Sequence, residues 1–203
     1  MGRPEIMFSR SPSGMGSALR QGEILSNVVE LQIDPKTING VDADSFYDVN
    51  PVKHPFAIVV SQDCDLEQGY NFTAQGKGNL RHELPSILFC QAQDVDRFKE
   101  SHMYRSLFKD GPFRRDFRNN DVFRYHFIQA VPTELDTRDC GLPELGIDFK
   151  RYFSMPIVEV FRRIELGHTS RRTLLESPYR DHFSRRFFNF NSRVALPEEY
   201  ESI

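Results

Sequence analysis

The sequence predicts an α+β fold: a small antiparallel barrel or curled sheet with long loops and a C-terminal amphipathic helix. Three observations carry this. Short apolar runs of strand length, at residues 56–60 and 86–90, are separated by irregular polar stretches. Near the end of the chain, Tyr179, Phe183, Phe187, Phe190 and Val194 recur at spacings of four, four, three and four, which gives a helix one apolar face. No internal repeat or low-complexity linker divides the chain. Residues 19–203 therefore read as a single domain, with the barrel core over 20–157 and the helix over 177–196.

Residues 1–18 are rich in Gly, Ser and Pro and read as a flexible arm. The fold starts at Gln21-Gly22-Glu23-Ile24-Leu25 and continues as a strand through Val28, Val29, Leu31 and Ile33, ended by Asp34-Pro35. A polar loop over 35–52 contains the turn formers Asn39-Gly40 and Asn50-Pro51. Residues 56–60 follow a proline, are uniformly apolar and read as a fully buried strand. Gln62, Asp63, Cys64, Asp65 and Glu67 then crowd into six positions. A dense polar turn on a buried strand is a rigid support for reactive groups.

Residues 68–81 read as a mobile loop and 86–90 as the next strand. Asp94 caps a helix carrying Val95, Phe98, His102 and Leu107, which Gly111 closes. Residues 111–121 form a basic, aromatic loop. Residues 122–128 and 146–157 read as strands, and 158–166 fits either period. Ser177 as N-cap and Pro178 at the first helical position open the last helix, and Pro197 ends it.

The 203 residues, 39% hydrophobic and 27% charged, have the composition of an ordinary globular protein. No apolar run approaches the roughly 20 residues of a membrane span, and the first residues hold no apolar stretch that would make a secretory signal. The three cysteines, Cys64, Cys90 and Cys140, show no CxxC spacing, which points to a reducing cytoplasm. The net charge is -3, but from Phe161 to Arg193 eight arginines (162, 163, 171, 172, 180, 185, 186 and 193) stand against only Glu165, Glu176 and Asp181. Such a tail faces either an anionic partner or the protein's own acids. With pI 6.1 the second reading weighs more.

Two chemistries suit the polar turn. On a strand, Asp63 and Asp65 share a face and, with Glu67, offer oxygen ligands to Mg²⁺. The alternative is an Asx-turn that shapes the loop. Cys64 is a candidate nucleophile, although its flanking aspartates oppose thiolate formation; a small buried side chain is its plainer role. A zinc site from Cys64, His82 and Cys90, completed by His54, His126 or Cys140, has spacings that match no compact motif. For binding, Phe113, Arg114, Arg115, Phe117, Arg118, Phe123, Arg124, Tyr125 and His126 interleave rings with guanidinium groups. Arginines neutralise phosphates and rings stack on bases, which suits single-stranded nucleic acid. With 18 Phe and no Trp, many of these rings must instead be core. On the last helix, His182, Arg186, Asn189 and Arg193 make a basic stripe, and the Phe face is either core or a homodimer seam.

The segment Gln21-Gly22-Glu23-Ile24-Leu25, followed after a long loop by His54-Pro55-Phe56-Ala57-Ile58-Val59-Val60-Ser61, resembles the front half of the PemK/MazF-like toxins. The resemblance covers residues 20–93 and implies an SH3-like barrel and metal-free RNA cleavage. The family's catalytic arginine precedes the proline, where this chain has His54 after Lys53. The family's catalytic Ser or Thr follows the third strand, where this chain has Cys90-Gln91-Ala92-Gln93. His54 would then act as acid or base, and Lys53, Arg81 or the 114–118 segment would stabilise the phosphorane. The pairing of the Ser61-Gln62-Asp63-Cys64-Asp65 turn with the tail from Ser177 also looks like a pattern in uncharacterised bacterial and phage proteins.

These readings converge on a nucleic-acid-acting protein, an endoribonuclease of a toxin or defence system. His54, Asp63, Asp65 and Cys64 would be its chemical residues, and Arg114, Arg115, Arg118, Arg186 and Arg193 its phosphate contacts. The alternative is a non-catalytic interaction module for a partner protein.

Overall fold

The structure, a computed structural model, describes residues 7–37, 48–77, 81, 83–101 and 104–192. It is α+β. Seven strands, β1 (Phe8–Arg10), β2 (Glu23–Ile33), β3 (Val49–Val59), β4 (Ser86–Asp94), β5 (Tyr125–Ile128), β6 (Leu145–Pro156) and β7 (Ser170–Leu175), form one antiparallel sheet in the order β1-β7-β2-β3-β4-β6-β5. Its outer strands β1 and β5 do not pair with each other, so the sheet does not close into a barrel. Among the described residues, five α-helices complete the fold: α1 (Asp63–Thr73), α2 (Val95–Glu100), α3 (Gly111–Arg118), α4 (Ile157–Glu165) and α5 (Tyr179–Asn191). No helix among the described residues is long and apolar enough to cross a membrane.

The apolar run of β3 is explained by burial on both faces. Ile58 and Val60 enter one core with Ile24, Cys90, Ile147 and Phe149, and α5 covers it with Phe183, Phe187 and Phe190. Ala57 and Val59 point to the other face, into a core with Leu25, Phe89 and Phe153, covered by Leu66 and Tyr70 of α1 and Ile157, Val160 and Phe161 of α4. Alternating side chains serve both cores, so neither parity can be polar. β3 is longer than the apolar run. It pairs with β2 from Ile24↔Ile58 out to Ile33↔Val49, so residues 49–52 belong to the strand and not to the preceding loop.

Several expectations are corrected. Residues 8–10 are a strand paired with β7, and Phe8 and Ser11 are each 4% exposed, so this part of the arm is built into the fold. The polar turn is the first turn of α1, which continues through residues expected in a mobile loop. The basic loop is largely helix α3. Residues 157–165 are helix, with Val160, Phe161 and Ile164 inward and Val158 outward. The Phe face of α5 is core. Pro178, not Ser177, stands at the cap of α5, and the Ser177 hydroxyl donates to Asp181 Oδ2 at 2.7 Å. Val194 and Pro197, expected within and after this helix, lie outside the described residues.

β7 was hidden by its charges. Arg171 and Arg172, 3% and 6% exposed, are consecutive residues of an inner strand. Their side chains leave opposite faces of the sheet, and each meets a buried carboxylate. Arg171 holds Glu23 with Nε–Oε1 at 2.5 Å and Nη2–Oε2 at 3.0 Å, and donates to the carbonyls of Gly14, Ser17 and Ala18. Arg172 holds Asp136 through two 2.7 Å bonds and donates to the Gly141 carbonyl. One strand thereby fastens the N-terminal segment on one side and the 136–141 loop on the other.

Arg171→Ala leaves the Glu23 carboxylate buried without its partner, which is expected to cost about 3–5 kcal/mol, read as a lowered urea midpoint. Arg171→Met/Glu23→Leu is expected to recover most of that loss. An equal loss in both variants would mean that the pair's charge is not what matters.

Candidate nucleic-acid interface

The structure separates the expected catalytic residues. His54 lies near the middle of β3 and Asp63 opens α1. Five strand steps of about 3.3 Å put His54 roughly 17 Å of chain from Val59 before the turn to α1 begins. The His54 ring is 5% exposed. It stacks on Phe153 at 4.2 Å between centroids, and its Nε2 lies 3.0 Å from Glu30 Oε2. Its surroundings are those of a packed core residue.

Asp63 and Asp65 do not share a face. On a helix two residues are about 200° apart. Asp63 instead closes a tertiary joint: it accepts from Gln21 N at 2.7 Å, Arg20 Nη2 at 2.9 Å and Arg180 Nη1 at 3.3 Å. Burial raises the pKa of Asp63, but these bonds and the two arginine charges outweigh it and hold the group below the usual carboxylate value. Asp65 is exposed. Among the described residues no group of three or more His, Cys, Asp or Glu side chains is placed to hold a metal ion, and Asp63, Asp65 and Glu67 do not form one. Cys64 is exposed and Cys90 buried, so these two proposed zinc ligands do not face a common site, and His82 lies outside the described residues. Asp63, Cys64, Glu67 and Tyr70 do line a cleft of about 700 Å³ beside residues 12–18.

His126 and His182 meet at 5.6 Å between ring centroids beside Arg186. His126 is 4% exposed and its Nδ1 has no partner among the described residues. Burial, then the Arg186 and His182 charges, hold it neutral well below the ordinary imidazole range.

Most of the arginines expected to meet phosphate are engaged within the fold. Arg186 Nη2 donates to the carbonyls of Val122 at 2.7 Å and Tyr125 at 2.8 Å, joining α5 to the start of β5. Arg118 grips both oxygens of Glu144 at 3.1 and 2.8 Å. Arg115 pairs with Asp116, both on the surface. Arg162, Arg163, Arg171, Arg172 and Arg180 all pair with acids, as the pI favoured. Arg193 lies outside the described residues.

The rings of this region are also engaged. Phe98, Tyr104, Phe108, Phe117, Tyr125 and Phe127 are buried together as a third core, with Phe113 packed against it. Two features seat this core on the sheet. A Cβ on Gly146 of β6 would come within 3.1 Å of Phe98 and 3.2 Å of Phe117, so a larger residue would require these rings to shift by a few tenths of an ångström. Asp148, 2% exposed, accepts from the Tyr104 hydroxyl at 2.7 Å and from Arg124 Nε at 2.8 Å and Nη2 at 2.5 Å. Burial and the Asp148 contact push the Tyr104 hydroxyl up to about 12.

With the rings inward, the cations of this subdomain lie outside. Between residues 95 and 118 stand Arg97, Lys99, Arg105, Lys109, Arg114, Arg115 and Arg118, against Asp96, Glu100, Asp110 and Asp116. Lys99 pairs with Asp96 at 3.0 Å. Arg97, Arg105, Lys109 and Arg114 are exposed and make no ion pair among the described residues. Arg105 and Lys109 border one cleft with Glu100 and Ser106. Arg97 borders another, with Lys53. Of these, only Arg114 stood out in the sequence, because its neighbours were aromatic. The charge count between 95 and 118 was the available signal for the others.

No protein family, curated protein or solved structure compared with the chain matches it.

His126 sets a pH dependence. In the unfolded chain it protonates near pH 6.5; in the folded protein its pKa is lower. Its contribution is therefore complete above that pH. It is lost as pH falls toward the folded value, at up to about 1.4 kcal/mol per unit. Urea midpoints measured downward from pH 7 should decline, and His126→Phe should lessen the decline, the remainder above the carboxylate range coming from His182, which burial and the Arg186 and Arg185 charges also lower. In native protein, Cys64 and Cys140 should react with a thiol reagent and Cys90 should not, because Cys90 is buried and its thiol is pushed up.

Proposed function

We propose that the protein binds single-stranded nucleic acid through the cationic outer surface of the helical subdomain spanning α2 and α3. The observation that carries this is the exposed set Arg97, Arg105, Lys109 and Arg114, none of which makes an ion pair among the described residues. By contrast, Arg118, Arg124, Arg162, Arg163, Arg171, Arg172 and Arg180 each hold an acid, and Arg186 holds two carbonyls. Exposed cations without internal ion-pair partners contribute little to holding the fold, and phosphate contacts give such a set a use. The likeness of residues 20–93 to the PemK/MazF-like toxins points the same way. The strands that carry it, β2, β3 and β4, are consecutive neighbours in the sheet. An endoribonuclease built on His54 with Asp63 and Asp65 has less behind it, because those side chains are separated and two of them are engaged in structural contacts.

An acidic protein partner is the second reading. Tyr152 and Phe188, 51% and 41% exposed, flank Phe187 and form an aromatic patch that suits a protein surface.

Fluorescence anisotropy with a single-stranded RNA, from about 50 to about 200 mM salt, tests the proposal. Affinity should fall steeply with salt. Arg105→Ala/Lys109→Ala/Arg114→Ala should weaken binding and make the log–log slope shallower by about 0.7 per lost contact. Arg162→Ala, which removes an arginine already paired with Glu165, should leave the slope unchanged. Salt-insensitive binding, or the same slope in the triple variant, would refute the assignment.

A further inference from the structure

A cleft of about 530 Å³ lies where β3 and β4 meet α2. Its size is that of a small-molecule site. Lys53 and Arg97 border it, both exposed and both without an ion-pair partner among the described residues. Gln91 and Gln93, half-buried, stand on alternate positions of β4 and line the same cleft. Gln91 Oε1 accepts from Arg151 at 3.4 Å. The Gln93 side chain makes no hydrogen bond among the described residues. The one carboxylate in the lining, Asp94, caps α2 by accepting from Asp96 N at 2.8 Å. Pro55, Phe56 and Pro143 supply mainly apolar walls.

We propose that this cleft receives one unstacked nucleotide, its phosphate held by Lys53 and Arg97 and its base edge by the amides of Gln91 and Gln93. Two cations on one cleft, whose carboxylate Asp94 is engaged in capping α2, fit a phosphate. A primary amide offers an acceptor and two donors, which matches the donor–acceptor edges of bases. An unstacked base exposes those edges, and apolar walls accept its ring faces. Phosphate alone would leave the amides unused, and a nucleoside alone would leave the cations unused. The shared chemistry admits a free mononucleotide or one unit of a strand. The strand form rests on the nucleic-acid reading proposed above.

The four 5′-ribonucleoside monophosphates, inorganic phosphate, the nucleosides and a short single-stranded RNA are each titrated into the full isotope-labelled chain. Amide shifts of β4 and α2 are followed. Mononucleotides are expected to perturb residues 91–97 more strongly than phosphate or nucleoside. Lys53→Ala/Arg97→Ala should weaken that binding at least tenfold, and Gln93→Ala should level the differences among the four bases. Both variants alter side chains that are not in the core, and unchanged thermal midpoints would confirm their folding. Mononucleotide binding at the cleft without salt-sensitive RNA binding would support a free-nucleotide site and defeat only the strand form. Salt-sensitive RNA binding through Arg105, Lys109 and Arg114, with no perturbation of 91–97, would overturn the nucleotide site and leave the proposed function standing. Phosphate binding as tightly as mononucleotides would overturn base recognition.

Discussion

A charge removed from water must be met by an opposite charge or a full set of hydrogen bonds, and this fold depends on how that is done for Arg171. Its guanidinium is 1% exposed and faces the fully buried Glu23 carboxylate. The two residues belong to β7 and β2, which are 148 positions apart in sequence and adjacent in the sheet. The remaining donors of Arg171 reach the carbonyls that close the N-terminal segment onto the sheet. Arg172 repeats the arrangement with Asp136 on the opposite face. Burial opposes ionisation of Asp136, but the bonds from Arg172 and from the backbone at 138 and 140 win and hold its carboxyl far below the ordinary range. A misregistered β7 would leave two guanidinium groups and two carboxylates unpaired, so these contacts specify the strand's place more sharply than apolar pairing could.

The same rule organises the helical subdomain. Asp148 on β6 is satisfied by Arg124 and Tyr104, which fixes where the aromatic core of α2 and α3 sits, and Gly146 lets it approach closely. Once the rings are inside and Asp148 is satisfied, the described surface of α2, α3 and their connection is mainly polar, Leu107 excepted. That surface carries more cations than acids. The surface proposed to bind nucleic acid is therefore a consequence of where the aromatic residues are buried, and the phosphate contacts proposed there fall to side chains that make no ion pair among the described residues.

The sequence was legible where one signal dominated. The run at 56–60 is buried on both faces, and the spacing of Phe183, Phe187 and Phe190 is the buried face of α5. It was misleading where charge and secondary structure conflict. Ser170–Leu175 carries two arginines in six residues, and no hydrophobic pattern marks it as an inner strand, because its burial rests on partners distant in the chain. Asp63-Cys64-Asp65 looks like a ligand-bearing turn, but acidic residues also favour the first turn of a helix, where its dipole welcomes them. Arg186 and Arg118 looked available because their partners, the Val122 and Tyr125 carbonyls and Glu144, are separated from them in sequence by 26 positions or more.

Mapping where a short single-stranded RNA protects the full chain from hydrogen exchange tests the central claim most directly. Protection concentrated between residues 95 and 118, and lost when salt is raised, is the result that the distribution of unpaired cations predicts. Protection centred on the first turn of α1 or on α5, with 95–118 unchanged, would contradict it and return function to the residues that the fold here uses for its own support.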